Sequence, residues 1–226
     1  MDSKPIIIRV GQHKKNFFIH EKVLRASSAF FDNALKEVWK EGQEAAVDLP
    51  DTRPYDFEIW AKFLYTGRVY MGKDEAIINK REEMFEELWT WRNLYALGGF
   101  LQDNDFQYAL IDTMVDWIAV SSMYPVDLAA YIYPHTKRDS SHRIFAIDVC
   151  LEVWPRADFR EGDVQPAEFL TDVFKSLGPH LNNSLGKASM KDWTLKIGDC
   201  NYHDHGDRPC YKTKSVFRFR MPPIMA

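Results

Sequence analysis

Four residues late in the chain have the types and spacing to do chemistry: Cys200-x-x-His203-x-His205-x-x-x-x-Cys210. Two thiolates and two imidazoles complete the tetrahedral set of a structural zinc ion, which makes zinc the candidate cofactor. Gly206 and Pro209 can bend the chain between ligands. The chain has only three cysteines and seven histidines, and two of each fall in this stretch. The spacing departs from a standard finger, since His-x-His is tight and no helix separates the pairs. The competing reading is a polar tail with solvated histidines. Around it, Arg208, Lys212, Lys214, Arg218 and Arg220 make a basic end with no acid after Asp207. Such an end could contact nucleic acid or an acidic partner. A net charge of −4 favours the simpler reading, a solvated basic end, and disfavours a nucleic-acid partner.

Elsewhere the chemistry thins out. The sequence has no phosphate-cradling glycine loop, Gly-x-Ser-x-Gly elbow, His-Glu-x-x-His or Cys-x-x-Cys, so no catalytic residue is assigned. His20 lies between a strand and a helix and has no Ser, Cys or acid at motif spacing, which suits a structural junction. Cys150 falls within a helix and reads as a small buried hydrophobe. Trp39-Lys40-Glu41 follows the first long helix. Trp39 with Glu41 beside it has the makings of a partner-binding anchor, because aromatics dominate hot spots and an acid adds orientation. Alternatively, Trp39 folds back onto the core.

The elements that must position these residues follow from periodicity. Pro5 to Val10 is a β-branched run, Lys14-Lys15-Asn16 a polar turn, and Phe17-Phe18-Ile19-His20 a second strand, together a hairpin. From Glu21 a helical period begins, with Leu24, Phe31, Leu35 and Val38 on one line. Ala45 to Leu49 is a short strand. Pro54 sits in the first turn of a helix capped by Asp51 or Thr52, lined by Phe57, Trp60, Ala61 and Leu64, and ended by Gly67. Val69-Tyr70-Met71 suggests a small edge strand, and the first half of 73–87 a loop. Met84, Leu88, Trp91 and Tyr95 keep helical spacing up to Gly98-Gly99, which should break it. Asn104 can cap the next helix, with Phe106, Leu110, Thr113, Met114 and Trp117 on one face.

After Ser121-Ser122 short helices follow, with no strand pattern. Leu128 to Tyr133 is one, ended by Pro134. Ser140 or Ser141 caps the next, with Ile144, Ile147, Leu151 and Trp154 facing inward. Pro166 opens a third, with Leu170, Val173 and Leu177 on one side, and Gly178-Pro179 stops it. Strands confined to the first third argue an α+β fold. The chain is 46% hydrophobic, and fifteen Phe, ten Tyr and seven Trp can fill a sizeable core. No apolar run approaches the roughly 18 residues of a membrane span, and the N-terminal apolar run is too short for a secretory signal. An odd cysteine count suits a reducing compartment, cytoplasm or nucleus.

The first 120 residues resemble a BTB/POZ domain, in the form common among filamentous-fungal proteins. The resemblance rests on the strand Ile6 to Val10, on Phe17-x-Ile19-His20-x-x-x-Leu24-x-x-x-Ser28-x-x-Phe31 and on Val47-x-Leu49-Pro50. It continues through Phe57-x-x-Trp60-x-x-Phe63-Leu64-Tyr65-Thr66-Gly67 and Leu94-Tyr95-x-Leu97. It implies a small N-terminal sheet with a helical cluster over 1–120; beyond it, the residue pattern gives an all-helical extension over 121–181 and the Cys/His-containing basic tail over 182–226. It further implies a noncatalytic protein–protein interaction module, with self-association and a cullin scaffold among its partners. Trp39 and Glu41 match the hydrophobic-x-acid form that some members present to a cullin. A substrate adaptor of a cullin-type ubiquitin ligase is the leading expectation. A transcription-associated protein with a zinc-binding or nucleic-acid-contacting tail is the alternative.

Overall fold

A computed structural model describes residues 3–36, 45–71, 80–121, 125–153, 164–177 and 200–214. The chain divides into two compact units, Met1–Leu110 with Pro209–Ala226, and Ile111–Arg208.

The first unit begins with β1 (Pro5–Val10) and β2 (Lys15–His20), paired antiparallel from Pro5↔His20 to Val10↔Lys15. β3 (Ala46–Leu49) joins β1 in parallel, so the sheet order is β2-β1-β3. Alternation sorts the faces. Ile6, Ile8 and Val10 are buried with Ile19, Val47 and Leu49, while Phe18 is two-thirds exposed. Each such aliphatic side chain contributes roughly 1.5–3 kcal/mol when fully buried. Phe17 packs edge-on against Phe57 at 4.9 Å between ring centroids. No strand forms at Val69-Tyr70-Met71, which is irregular.

Where one long helix was expected from Glu21, two form: α1 (Glu21–Ser27) and α2 (Ala29–Ala34). Ser28 breaks them. Its backbone is extended (φ −122°, ψ 119°), and its hydroxyl accepts from the Phe31 N–H, capping α2. The same hydroxyl donates to the Leu101 carbonyl, which ties the break to the core. α3 (Pro54–Thr66) buries Phe57, Trp60, Phe63 and Leu64 and ends at Gly67; Arg53 occupies its N-cap position with no side-chain bond.

α4 (Lys80–Leu101) runs straight through Gly98-Gly99. A Cβ on Gly98 would lie 2.9 Å from Gln107 Cγ and 3.2 Å from Phe106 Cδ1. That glycine therefore serves close helix approach, and the helix stops only at Gln102, with φ of 54°. α5 (Asn104–Ser121) follows, and Asp103, one residue before the expected cap, accepts from the Phe106 N–H at 3.0 Å. Within the first unit Tyr211 lies against Phe63 and Lys214 pairs with Asp105.

The described part of the second unit is helical up to Leu177: the end of α5, α6 (Leu128–Ile132) with a 3-10 turn Tyr133–His135, α7 (Ser141–Asp148) running into a π turn Val149–Val153, and α8 (Ala167–Leu177). Ser140 caps α7, its hydroxyl accepting from the His142 N–H. The buried face of α7 is His142, Arg143, Phe145, Ala146 and Ile147; Ile144, expected inward, is half exposed. On α8 the inward residues are Phe169 and Val173, and Leu170 reaches the surface. Among the described residues no helix is long and apolar enough to cross a membrane.

Candidate metal centre

The stretch from Cys200 to Thr213 is a chain of tight turns. The His203 N–H donates to the Cys200 carbonyl, Arg208 N–H to His205 and Thr213 N–H to Cys210, at 3.2, 3.0 and 2.9 Å. Gly206, with φ of 55°, reverses the chain between the histidines and Cys210. These turns bring the ligand atoms of Cys200, His203, His205 and Cys210 within 4.8 Å of one another. Bonds of 2.0–2.3 Å around a tetrahedral ion set ligand–ligand separations of about 3.3–3.8 Å, so a small contraction closes the set. The four residues predicted from spacing thus form a Cys₂His₂ cluster, the donor set of a structural zinc. Cys210 is buried and Cys200 exposed.

The surroundings orient the imidazoles. His203, buried, meets Asp112 on α5 with Nε2 to Oδ1 at 3.1 Å. His205 directs Nδ1 to the Gly206 carbonyl at 2.9 Å. Asp204, between them, takes the opposite course and accepts from the Ser140 and Ser141 hydroxyls and the Ser141 N–H at the start of α7. Burial acts to raise the Asp204 carboxyl, but these donors outweigh it and hold it below the usual carboxylate range. Tyr202 also anchors the stretch, its ring tilted against Phe145 at 5.0 Å between centroids and its hydroxyl donating to Asp148 at 3.0 Å. Burial pushes the neighbouring His142 well below the ordinary imidazole range, so that ring adds no cation beside the cluster. Neither Asp112 nor Asp204 was visible in the spacing, because each acts across a long stretch of chain.

The other sequence candidates divide. Trp39 and Glu41 lie outside the described residues. His20 is a junction histidine: Tyr65 Oη accepts its backbone N–H at 3.2 Å and lies 3.0 Å from its Nδ1. Cys150 sits in the π turn, half-buried where a buried residue was expected, and burial pushes its thiol up to about 11, which disfavours the thiolate. In the basic end, Lys214 pairs with Asp105, Arg208 donates to the His205 carbonyl, and Lys212 lies 5.9 Å from the centre of the Tyr211 ring. Arg218 and Arg220 lie outside the described residues.

The first unit has the architecture that the resemblance implied, a hairpin-led three-stranded sheet backed by helices. A family model described as BTB/POZ domain matches residues 5–87, from the first residue of β1 into α4. Domains of this family are interaction modules, generally noncatalytic, that mediate protein contacts and self-association. Residues 5–87 thus match a BTB/POZ domain, a family of modules for protein–protein interaction.

Proposed function

We propose that the chain is a noncatalytic adaptor whose BTB/POZ domain engages a cullin-type scaffold of a ubiquitin ligase. The match over residues 5–87 carries this reading. On it, residues 1–120 would hold the scaffold in the cytoplasm or nucleus, while the helical extension over 121–181 would present a second face to the substrate. Trp39 and Glu41 are the proposed anchor: an indole supplies desolvated contact and the carboxylate sets orientation. The expected result is a cullin complex that Trp39→Ala with Glu41→Ala weakens by about 2 kcal/mol or more, roughly 30-fold, measured by titration calorimetry. Failure of the wild type to bind at about tens of micromolar, the weak end of specific association, would remove the adaptor reading and leave the interaction module.

The Cys₂His₂ cluster supports a second element, a structural zinc held by Cys200, His203, His205 and Cys210. Protein purified without chelator should then carry about one zinc per chain, and Cys200→Ser should lose it. A metal content near zero would return the four residues to a plain polar stretch. The alternative overall reading, a transcription-associated protein with this tail, predicts duplex binding with a steep salt slope. The engagement of Lys214 and Arg208 within the protein speaks against it.

A further inference from the structure

We propose that Asp112 is the positioning residue of the Cys₂His₂ centre, fixing His203 so that it ligates through Nδ1 while His205 ligates through Nε2. This rests on the zinc reading above and goes beyond it, because spacing alone says nothing about which ring nitrogen faces the ion. The Asp112 carboxylate can only accept, so the contact from His203 Nε2 at 3.1 Å places the ring proton on Nε2 and the lone pair on Nδ1. The Gly206 carbonyl also can only accept. Its contact at 2.9 Å places the proton of His205 on Nδ1 and the lone pair on Nε2. The two rings therefore carry opposite tautomers, each set by a partner of the kind that orients metal-bound histidine.

Opposite tautomers also account for the tight His-x-His spacing. Nδ1 lies close to the backbone and Nε2 at the far edge of the ring. Neighbouring histidines two residues apart can then reach one ion from different depths, with ring centres 5.9 Å apart and planes inclined at 63°. The backbone between them is pinned by Asp204, which is held at the start of α7 by Ser140 and Ser141. The His203 side chain is 1% exposed and Asp112 is 29% exposed, so the imidazole is set in the protein and its carboxylate is the polar group that orients it. The negative charge of Asp112 also strengthens His203 as a donor.

The test uses the full chain loaded with Zn²⁺ and, in parallel, with ¹¹³Cd²⁺. Long-range ¹⁵N imidazole spectra of the Cd²⁺ form should show metal coupling to Nδ1 of His203 and to Nε2 of His205. In chelator competition, Asp112→Ala should weaken Zn²⁺ binding by about 10–100-fold, while Asp112→Asn, which keeps an acceptor oxygen, recovers most of that loss. The Co²⁺-substituted variant should keep the charge-transfer bands of two thiolates, showing that the ligand set survives. Coupling through Nε2 of both rings, or unchanged affinity in Asp112→Ala, overturns the proposal and leaves zinc binding standing. A wild-type chain that takes up neither metal overturns both. The coupling pattern is read on the wild type, so the test holds even if a variant fails to fold.

Discussion

Replacing Arg143 by alanine should lower the stability of the helical unit by about 3 kcal/mol, measured by urea unfolding of the full chain. The guanidinium is 8% exposed and uses nearly every donor it has. Nη2 donates to the Tyr133 and Thr136 carbonyls at 3.1 and 2.8 Å, Nε donates to the Thr136 hydroxyl at 3.2 Å, and Nη1 meets Glu168 at 2.6 Å. It also lies 4.3 Å from the centre of the Tyr133 ring. One side chain on α7 thereby joins the turn after α6 to the start of α8. Alanine takes a donor from the buried Tyr133 carbonyl, which keeps only the long Thr136 N–H contact at 3.5 Å, and from the part-buried Thr136 carbonyl, at roughly 1–3 kcal/mol each, whereas the half-exposed Glu168 can return to water. That rehydration keeps the total near the low end of what breaking a buried ion pair costs. Arg143→Lys should recover little, since an ammonium cannot reproduce the planar fork. Arg143→Met should recover only the packing share. A loss below about 0.5 kcal/mol in Arg143→Ala would show that the network is ornamental.

Arg143 also marks where reading by sequence stops. Local signals were legible: β1 and the hairpin from β-branched alternation, the end of α3 from Gly67, and the cap of α7 from Ser140. Each depends on residues within a few positions of one another. The errors share the opposite cause. Ser28 splits a helical line because its hydroxyl reaches Leu101. Gly98 does not break α4 because its missing side chain admits Gln107. On α7 a buried Arg143 and His142 share the inward face with Ile147 and turn Ile144 out, so a hydrophobic stripe placed the helix and Ile147 correctly and Ile144 wrongly. The Cys₂His₂ set was legible because all four donors lie between positions 200 and 210. Asp112, which orients one of them, was hidden by its distance along the chain.

Asp103→Ala should cost about 2–4 kcal/mol in the first unit, and the wild type should carry a pH signature that the variant lacks. The carboxylate is fully buried. One oxygen accepts from the Phe106 N–H at 3.0 Å and starts α5; the other accepts from Trp60 Nε1 at 2.9 Å, joining α3 to that helix start. Alanine removes a cap worth about 1 kcal/mol and leaves the indole N–H buried without an acceptor, at roughly 1–3 kcal/mol. Trp60→Phe in the same background removes the stranded donor, so the double variant should lose less than the two single losses added together. Burial raises the Asp103 carboxyl to about 7, and the Phe106 and Trp60 donors pull against that rise without cancelling it. An acid with a raised folded value holds its proton longer folded than unfolded. Its contribution is therefore full below about pH 4, declines as pH rises from about 4 to about 7, and is flat above. Thermal unfolding of the wild type should show that decline and Asp103→Ala should not. Parallel pH profiles in the two proteins would mean that Asp103 is ionised throughout, held by its two donors against the cost of burial.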